Sequence, residues 1–379
     1  MKAQLAVLMV GLVSLPLSVR PARATVLSNY QITDLGDLSS SGGTSSVGFG
    51  INSSGQVAGV VNFTGGYDAF LYSGGVMTNL GTLGGPESEG LGINNSGTVT
   101  GWAEVNRGTI RAMVDSGGVM QNLGTFPGGS TSMGYAINAS GQVAGWGQAS
   151  TTEFNAFLYS GGNMINLGVL AGGSLSEAYG INNSGQVTGE AQTSSGNLHA
   201  FLYSNGQMTD LGVPVGFAET IGEAINNNGE IAGYGNTTSN NNQAVLYDAG
   251  VWTDLGTLPG FLGSVGLAIN DSGAVVGHAS TANGLETDAF LYSNGVMTDL
   301  NSLISPSSGW QLEEATGIND AGQITGYGTI GGQTHGFLLT PVPEPPSFLL
   351  TVVAAVGLTV ACRRGRRIEH SQLQVTAGH

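Results

Sequence analysis

The chain has 379 residues, a formal net charge of −16, 65 glycines and only 9% charged residues. The glycine excess follows no three-residue period and recurs beside apolar segments, which excludes collagen and argues against plain disorder. Only Arg107 and Arg111 are basic between the two ends, so the acidic body repels phosphate backbones and no nucleic-acid partner is expected. Cationic ions, basic partners and neutral glycans stay open, and the single cysteine, Cys362, excludes an internal disulfide.

In chain order, residues 1–24 read as a secretory signal peptide. Lys2 supplies a basic start, Ala6 to Val19 is an apolar run broken by Pro16, and Ala22-Arg23-Ala24 sets small residues at −3 and −1 of a cleavage after Ala24. Signal peptidase is the implied partner. The run is short for the alternative, a retained anchor.

Residues 25–341 repeat four short motifs in fixed order. The first is an apolar residue followed by Asn52, Asn94, Asn138, Asn182, Asn226, Asn270 or Asn319, and the spacing from Asn94 to Asn270 is a constant 44 residues. The second, of Gly-Gln-Val-x-Gly type, ends at Gly59, Gly101, Gly145, Gly189, Gly233, Gly277 and Gly326. The third resembles Ala-Phe-Leu-Tyr, centred on Phe70, Met113, Phe157, Phe201, Val245, Phe290 and Phe337. The fourth resembles Met-Thr-Asp-Leu-Gly, with Leu35, Leu80, Leu123, Leu167, Leu211, Leu255 and Leu300. Each motif reads as a strand of four to six residues bounded by glycine, serine or asparagine. Asn-Ser-Gly turns join the first pair and Gly-Gly or Asn-Gly turns the second, because both residue types tolerate the positive φ of tight hairpins.

One repeat is therefore a four-stranded antiparallel meander of a length typical of propeller blades. A single such sheet cannot bury both faces; seven stacked around an axis can. No fourth motif follows Gly336-Phe337-Leu338-Leu339, yet Tyr30 to Gly36 is that missing strand. An all-β, seven-bladed propeller closed by its N-terminal strand is expected, in preference to an open solenoid. The motifs resemble the HAF family of extracellular repeats, named for the triplet present here as His199-Ala200-Phe201, and the resemblance runs from Tyr30 to Leu339. The histidine is replaced by Asp68, Arg111, Asn155, Gln243 and Asp288 elsewhere, and kept at His335. This resemblance implies an extracellular location and supplies no activity or ligand.

Residues 342–379 have a tripartite order: the motif Val342-Pro343-Glu344-Pro345, an apolar stretch over 348–361 expected to form a short transmembrane helix, and Arg363, Arg364, Arg366 and Arg367. The order resembles the PEP-CTERM sorting signal. The resemblance implies processing by an exosortase, a membrane-anchored precursor and a cell-surface or extracellular product. The apolar segment would associate transiently with the membrane while the arginines hold its end on the cytoplasmic side. Twelve residues, 368–379, follow the last arginine, a departure from the family's shorter tails. A permanent C-terminal anchor is the alternative, for which the span is short.

Two variable links per repeat fall on one face of such a ring, where binding usually resides. The residue after the second motif is Val60, Trp102, Trp146, Glu190, Tyr234, His278 or Tyr327. Trp102, Trp146, Tyr234, His278 and Tyr327 are the candidate ligand face, since exposed rings stack on sugars; packing between blades is the competing account. Glu89, Glu177 and Glu314 precede motif-one asparagines by five residues, with Glu87, Glu219, Glu223 and Glu313 nearby. Carboxylate pairs serve glycosidic acid–base chemistry or calcium, but no pair stands out from its repeats and no calcium-loop spacing occurs, so solvated loop charge is expected. The motif-one asparagines read as turn devices without a functional role. His199, His278 and His335 have no partnering carboxylate spacing, so no zinc site is expected. No cofactor is implied, and no nucleophile elbow, Walker loop or His-Glu-x-x-His occurs. The function expected is that of a noncatalytic surface or matrix protein binding exopolysaccharide or another surface component. A secreted glycan-cleaving enzyme and a purely structural matrix protein are the alternatives.

Overall fold

The computed structural model describes residues 30–343 except 151, 152, 282, 283 and 285. The expected signal peptide with Ala22 and Ala24, and the expected sorting segment from Glu344 through Pro345 and the apolar stretch to the arginines and tail, lie outside the described residues; Val342 and Pro343 lie within them. Among the described residues no helix is long and apolar enough to cross a membrane.

The body is a seven-bladed propeller of four-stranded antiparallel sheets. Blade one shows the pattern: the motifs form an innermost strand Gly43–Ile51, then Val57–Phe63, Gly66–Ser73 and the outermost Val76–Gly81. Motif four of the last blade is the N-terminal strand Tyr30–Asp34, which pairs with Gln333–Pro341 in the register Tyr30↔Pro341 to Asp34↔Phe337. The ring is thereby latched by its two ends, as the missing strand implied. The outer hairpins use the expected turns: Asn294 and Gly295 have φ of 55° and 82°.

Apolar clusters sit between blades. Phe201, Val187 and Ile181 of blade four, for example, pack with Ala144, Ala156 and Leu167 of blade three. The third-strand residues Phe70, Met113, Phe157, Phe201, Val245, Phe290 and Phe337 are all fully buried. The innermost-strand carbonyl facing each motif-two glycine explains why that position is glycine, and at Gly59 and Gly145 a third-strand phenylalanine ring closes the space further. A Cβ on Gly145 would lie 1.9 Å from Met133 O and 2.8 Å from the Phe157 ring, so no larger residue fits.

Two sets of buried hydrogen bonds tie the blades. The first corrects the reading of the motif-one asparagines as turn devices alone. Asn182 Oδ1 does accept from the backbone of Ser184 (3.1 Å) and Gln186 (3.0 Å). Its amide, however, donates to the carbonyl of Asn226 in the next blade at 3.1 Å and to Gln186 Oε1 at 2.7 Å. The same interblade bond recurs at every junction and closes from Asn319 to Asn52 at 2.9 Å. The second set uses a buried hydroxyl. Ser176 Oγ accepts from Ala156 N and donates to Gly168 O of the preceding blade; Ser46, Ser88, Ser132, Thr220 and Ser264 do likewise. At the junction of blades six and seven Asn301 replaces the hydroxyl, bonding both backbone groups of Leu312.

The turn and the ring make opposite demands on Asn182→Asp. A carboxylate keeps the acceptor that caps the turn but loses the donor that reaches the next blade, and it faces a carbonyl instead. Asn182→Asp and Asn182→Ala are both expected to cost about 1–3 kcal/mol in denaturant unfolding, since buried partners are orphaned. An Asp variant as stable as the parent at neutral pH would leave the asparagine only its turn role.

Candidate functional site

Each innermost strand carries a one-residue bulge. Its pairing with the second strand skips Phe49, Leu91, Tyr135, Tyr179, Glu223, Leu267 and Thr316, one per blade. A bulge leaves its extra residue unpaired and re-aims the side chain. All seven line an axial cavity of about 210 Å³. The isoleucines that follow, Ile137 and Ile181 among them, separate it from a second cavity of about 190 Å³ lined by the asparagine ring. The channel thus has an asparagine end and a collar end, and the variable links lie beyond the collar.

The sequence holds a signal for this collar. Every innermost strand ends in a small residue, a variable residue, a small residue, isoleucine and asparagine, as in Gly134-Tyr135-Ala136-Ile137-Asn138. The variable position between two small ones is the bulge.

Carboxylates crowd the collar end, and the expectation that they are solvated loop charge is corrected. Glu89, Glu177, Glu219, Glu223, Glu313 and Glu314 all lie in innermost strands, leaving only Glu87 in a link. The view that no pair stands out is also corrected, because blade four pairs Glu177 directly with Glu190 across its strands. The Tyr179 hydroxyl lies 2.9 Å from Glu177 Oε2 and 3.1 Å from Glu190 Oε1, donating to one at a time. Burial, then the charge of Glu177, pushes Glu190 up to about 7. Burial raises Glu177 also, against the pull of the Tyr179 hydrogen bond. Burial and the same carboxylates hold the Tyr179 phenol far above its usual range.

Glu223, in the next blade, is pushed up to about 8 by burial and by the charges of Glu190 and Glu314. It is half-buried and lines the channel cavity, and among the described residues no donor reaches its carboxylate.

The candidate ligand face is only partly a face. Trp102 is 6% exposed. Its Nε1 donates to Glu89 Oε2 at 3.1 Å, and its ring meets Tyr67 of the neighbouring blade edge-on at 5.8 Å. Packing between blades therefore accounts for Trp102, and the expectation of a solvent-facing ring there is overturned. Trp146, Tyr234, His278 and Tyr327 are half-buried. Trp146 meets Phe154 edge-on at 5.1 Å; its buried Nε1 is directed towards the Tyr135 hydroxyl without reaching hydrogen-bond geometry. Tyr327 Oη approaches Glu314 at 3.4 Å and His278 Nδ1 lies 2.9 Å from the same carboxylate. The set therefore flanks the collar carboxylates instead of forming a flat stacking surface.

The histidines do have carboxylate partners, contrary to the sequence reading. Besides His278, His199 pairs with Asp210 at 2.9 Å and His335 with Asp34 at 3.0 Å, each across the two outer strands of a blade. Antiparallel pairing brings these residues together at a separation that differs from blade to blade in the chain. Among the described residues no three or more His, Cys, Asp or Glu side chains converge to hold a metal ion.

No family model and no curated protein matches this chain. Among solved structures it is similar to a gluconolactonase from Xanthomonas campestris, at a TM-score of 0.45 and 11% identity over 85% of this chain and 93% of that one. A putative TolB from Agrobacterium tumefaciens follows at 0.39 and 14%, over 61% and 87%. A lectin from Aleuria aurantia follows at 0.37 and 14%, over 66% and 94%. At such distances these likenesses bear on neither activity nor ligand.

Glu190 and Glu223 bind protons more tightly in the folded protein than in the unfolded chain, where the ordinary value of 4.5 applies. The folded state then holds more protons than the unfolded state between about pH 4.5 and 8, and stability falls as pH rises through that interval. The melting temperature is expected to drop from pH 5 to pH 8. Glu223→Gln should flatten that slope by raising the pH 8 value; an unaltered slope would show that Glu223 ionises freely.

Proposed function

We propose that this chain is an exported, noncatalytic surface or matrix protein whose propeller binds exopolysaccharide or another surface component at the collar end of its channel. One observation carries the reading. Where the repeats meet the demands of closure they are alike: the same asparagine at all seven positions, the same buried hydroxyl at six junctions. Where they face the collar cavity they differ, with phenylalanine, leucine, tyrosine, glutamate and threonine at equivalent positions. Closure does not require that variety, and recognition of an unsymmetrical ligand does.

The chain ends support presentation at a surface. Tyr30 and Pro341 are paired neighbours, and both lie near Gly322 in the turn that follows the Asn319 ring position. The ring thus leaves for both address segments from its asparagine end, so that a C-terminal membrane segment would hold that end towards the membrane and the collar away from it. Export by signal peptidase and processing by an exosortase are the corresponding proposals for residues 1–24 and 342–379.

A glycan-cleaving enzyme is the second reading, favoured by the Glu177–Glu190 pair with one member pushed up to about 7. Paired carboxylates of unequal proton affinity are what glycosidic hydrolysis uses.

Wild-type protein is expected to bind the surface polysaccharide of its own host, and Tyr135→Ala with Tyr179→Ala to lose that binding without change of fold. Undiminished binding would remove the collar from the site. Release of reducing ends, abolished by Glu190→Gln, would establish the enzyme instead. Replacing Pro343, Glu344 and Pro345 by alanine should retain the protein in the membrane fraction, and unchanged release would refute sorting.

A further inference from the structure

We propose that the collar end of the channel binds an organic ammonium group, carried by an amine-bearing saccharide of the matrix. The inference rests on the reading of the collar as a ligand site and specifies its ligand class.

Glu223 carries the argument. Its carboxylate faces the cavity, and among the described residues nothing donates a hydrogen bond to it. The charges that reach it, Glu190 and Glu314, are both negative. No Lys or Arg answers it, since Arg107 and Arg111, the only ones between the ends, belong to blade two, and the collar's histidine, His278, is held 2.9 Å from Glu314. A carboxylate this deep without a partner is costly when ionised, and a ligand cation supplies the missing charge.

The wall around it selects among cations. The Tyr135 and Tyr179 rings, 5.1 Å apart and edge-on, line the same cavity. Aromatic walls attract organic ammonium groups through the negative face of the ring. A divalent metal requires several converging oxygens, and no such group of carboxylates occurs among the described residues. The cavity of about 210 Å³ is below the ~300–1,000 Å³ that encloses drug-sized ligands, so it takes one sugar ring or a short amine while the rest of a chain lies across the mouth.

The test is titration calorimetry of the purified full-length protein at pH 6, where the sugar amine and Glu223 both start protonated, with a glucosamine tetrasaccharide, its fully N-acetylated counterpart, spermidine and calcium chloride. The free-amine tetrasaccharide is expected to bind about 10- to 100-fold tighter than the acetylated one, the range for a charge-assisted contact. Binding should release protons as Glu223 ionises, read as a dependence of the heat on buffer ionisation enthalpy. Glu223→Gln should abolish both the preference and the proton release without lowering the melting temperature, which shows that the fold is intact. Spermidine binding more weakly than the tetrasaccharide supports a saccharide source, whereas equal or tighter binding supports a free polyamine and replaces the saccharide. Equal affinity for the two tetrasaccharides, a preference that survives Glu223→Gln, or calcium displacing the amine at equimolar concentration would overturn the ammonium site. The glycan-binding reading fails separately: it falls if neither tetrasaccharide nor the host polysaccharide binds, even where spermidine does.

Discussion

A closed circle of seven asparagine side chains holds this propeller at one end of its axis. Each amide donates to the next blade's carbonyl and the last reaches the first, from Asn319 to Asn52. An asparagine side chain has two donors and two acceptor sites, and the buried position uses them all in most blades: two backbone amides of the turn, the n+4 side chain and the neighbouring carbonyl. Buried polar groups that are fully paired specify one geometry, because any slip of one blade leaves several of them unsatisfied. A strand latch closes the same ring further out, and the buried hydroxyls repeat the tie between neighbouring blades.

The collar follows from that pinning. The ring requires small residues beside each isoleucine–asparagine pair, and the bulge among them turns one residue per blade into the channel. The glycine that ends motif two sits opposite this bulged stretch, packed against a backbone carbonyl of the innermost strand. Two constraints of packing thereby create seven positions on which packing places little demand. Those are the positions at which the blades diverge.

The electrostatics have the same origin. With nearly every basic residue at the chain ends, the collar carboxylates have only one another and a few hydroxyl, indole and imidazole groups as partners. Burial and mutual repulsion hold protons on Glu190 and Glu223 near neutrality. A site of this kind is neutral by protonation or neutral by binding, which couples ligand, proton and stability at one place.

The sequence alone determined the number of blades, the four strands of each and the strand that latches the ring. These are properties of period and turn chemistry, and Tyr30 to Asp34 matched the gap in the last blade by motif alone. It also marked Asn52 and its equivalents as turn residues, because the capping acceptor acts within five residues of chain. What only the tertiary structure decided lies across blades. The donor half of the asparagine bonds 42 to 49 residues further along the chain, or 267 back at closure, a distance at which pattern says nothing about contact. The same holds for Trp102, expected as an exposed ring and packed against Tyr67 of the preceding blade. It holds again for Glu223, one glutamate among several in the sequence. The bulge and the channel set it apart: one re-aims its side chain, and the other places it on the wall of the collar cavity.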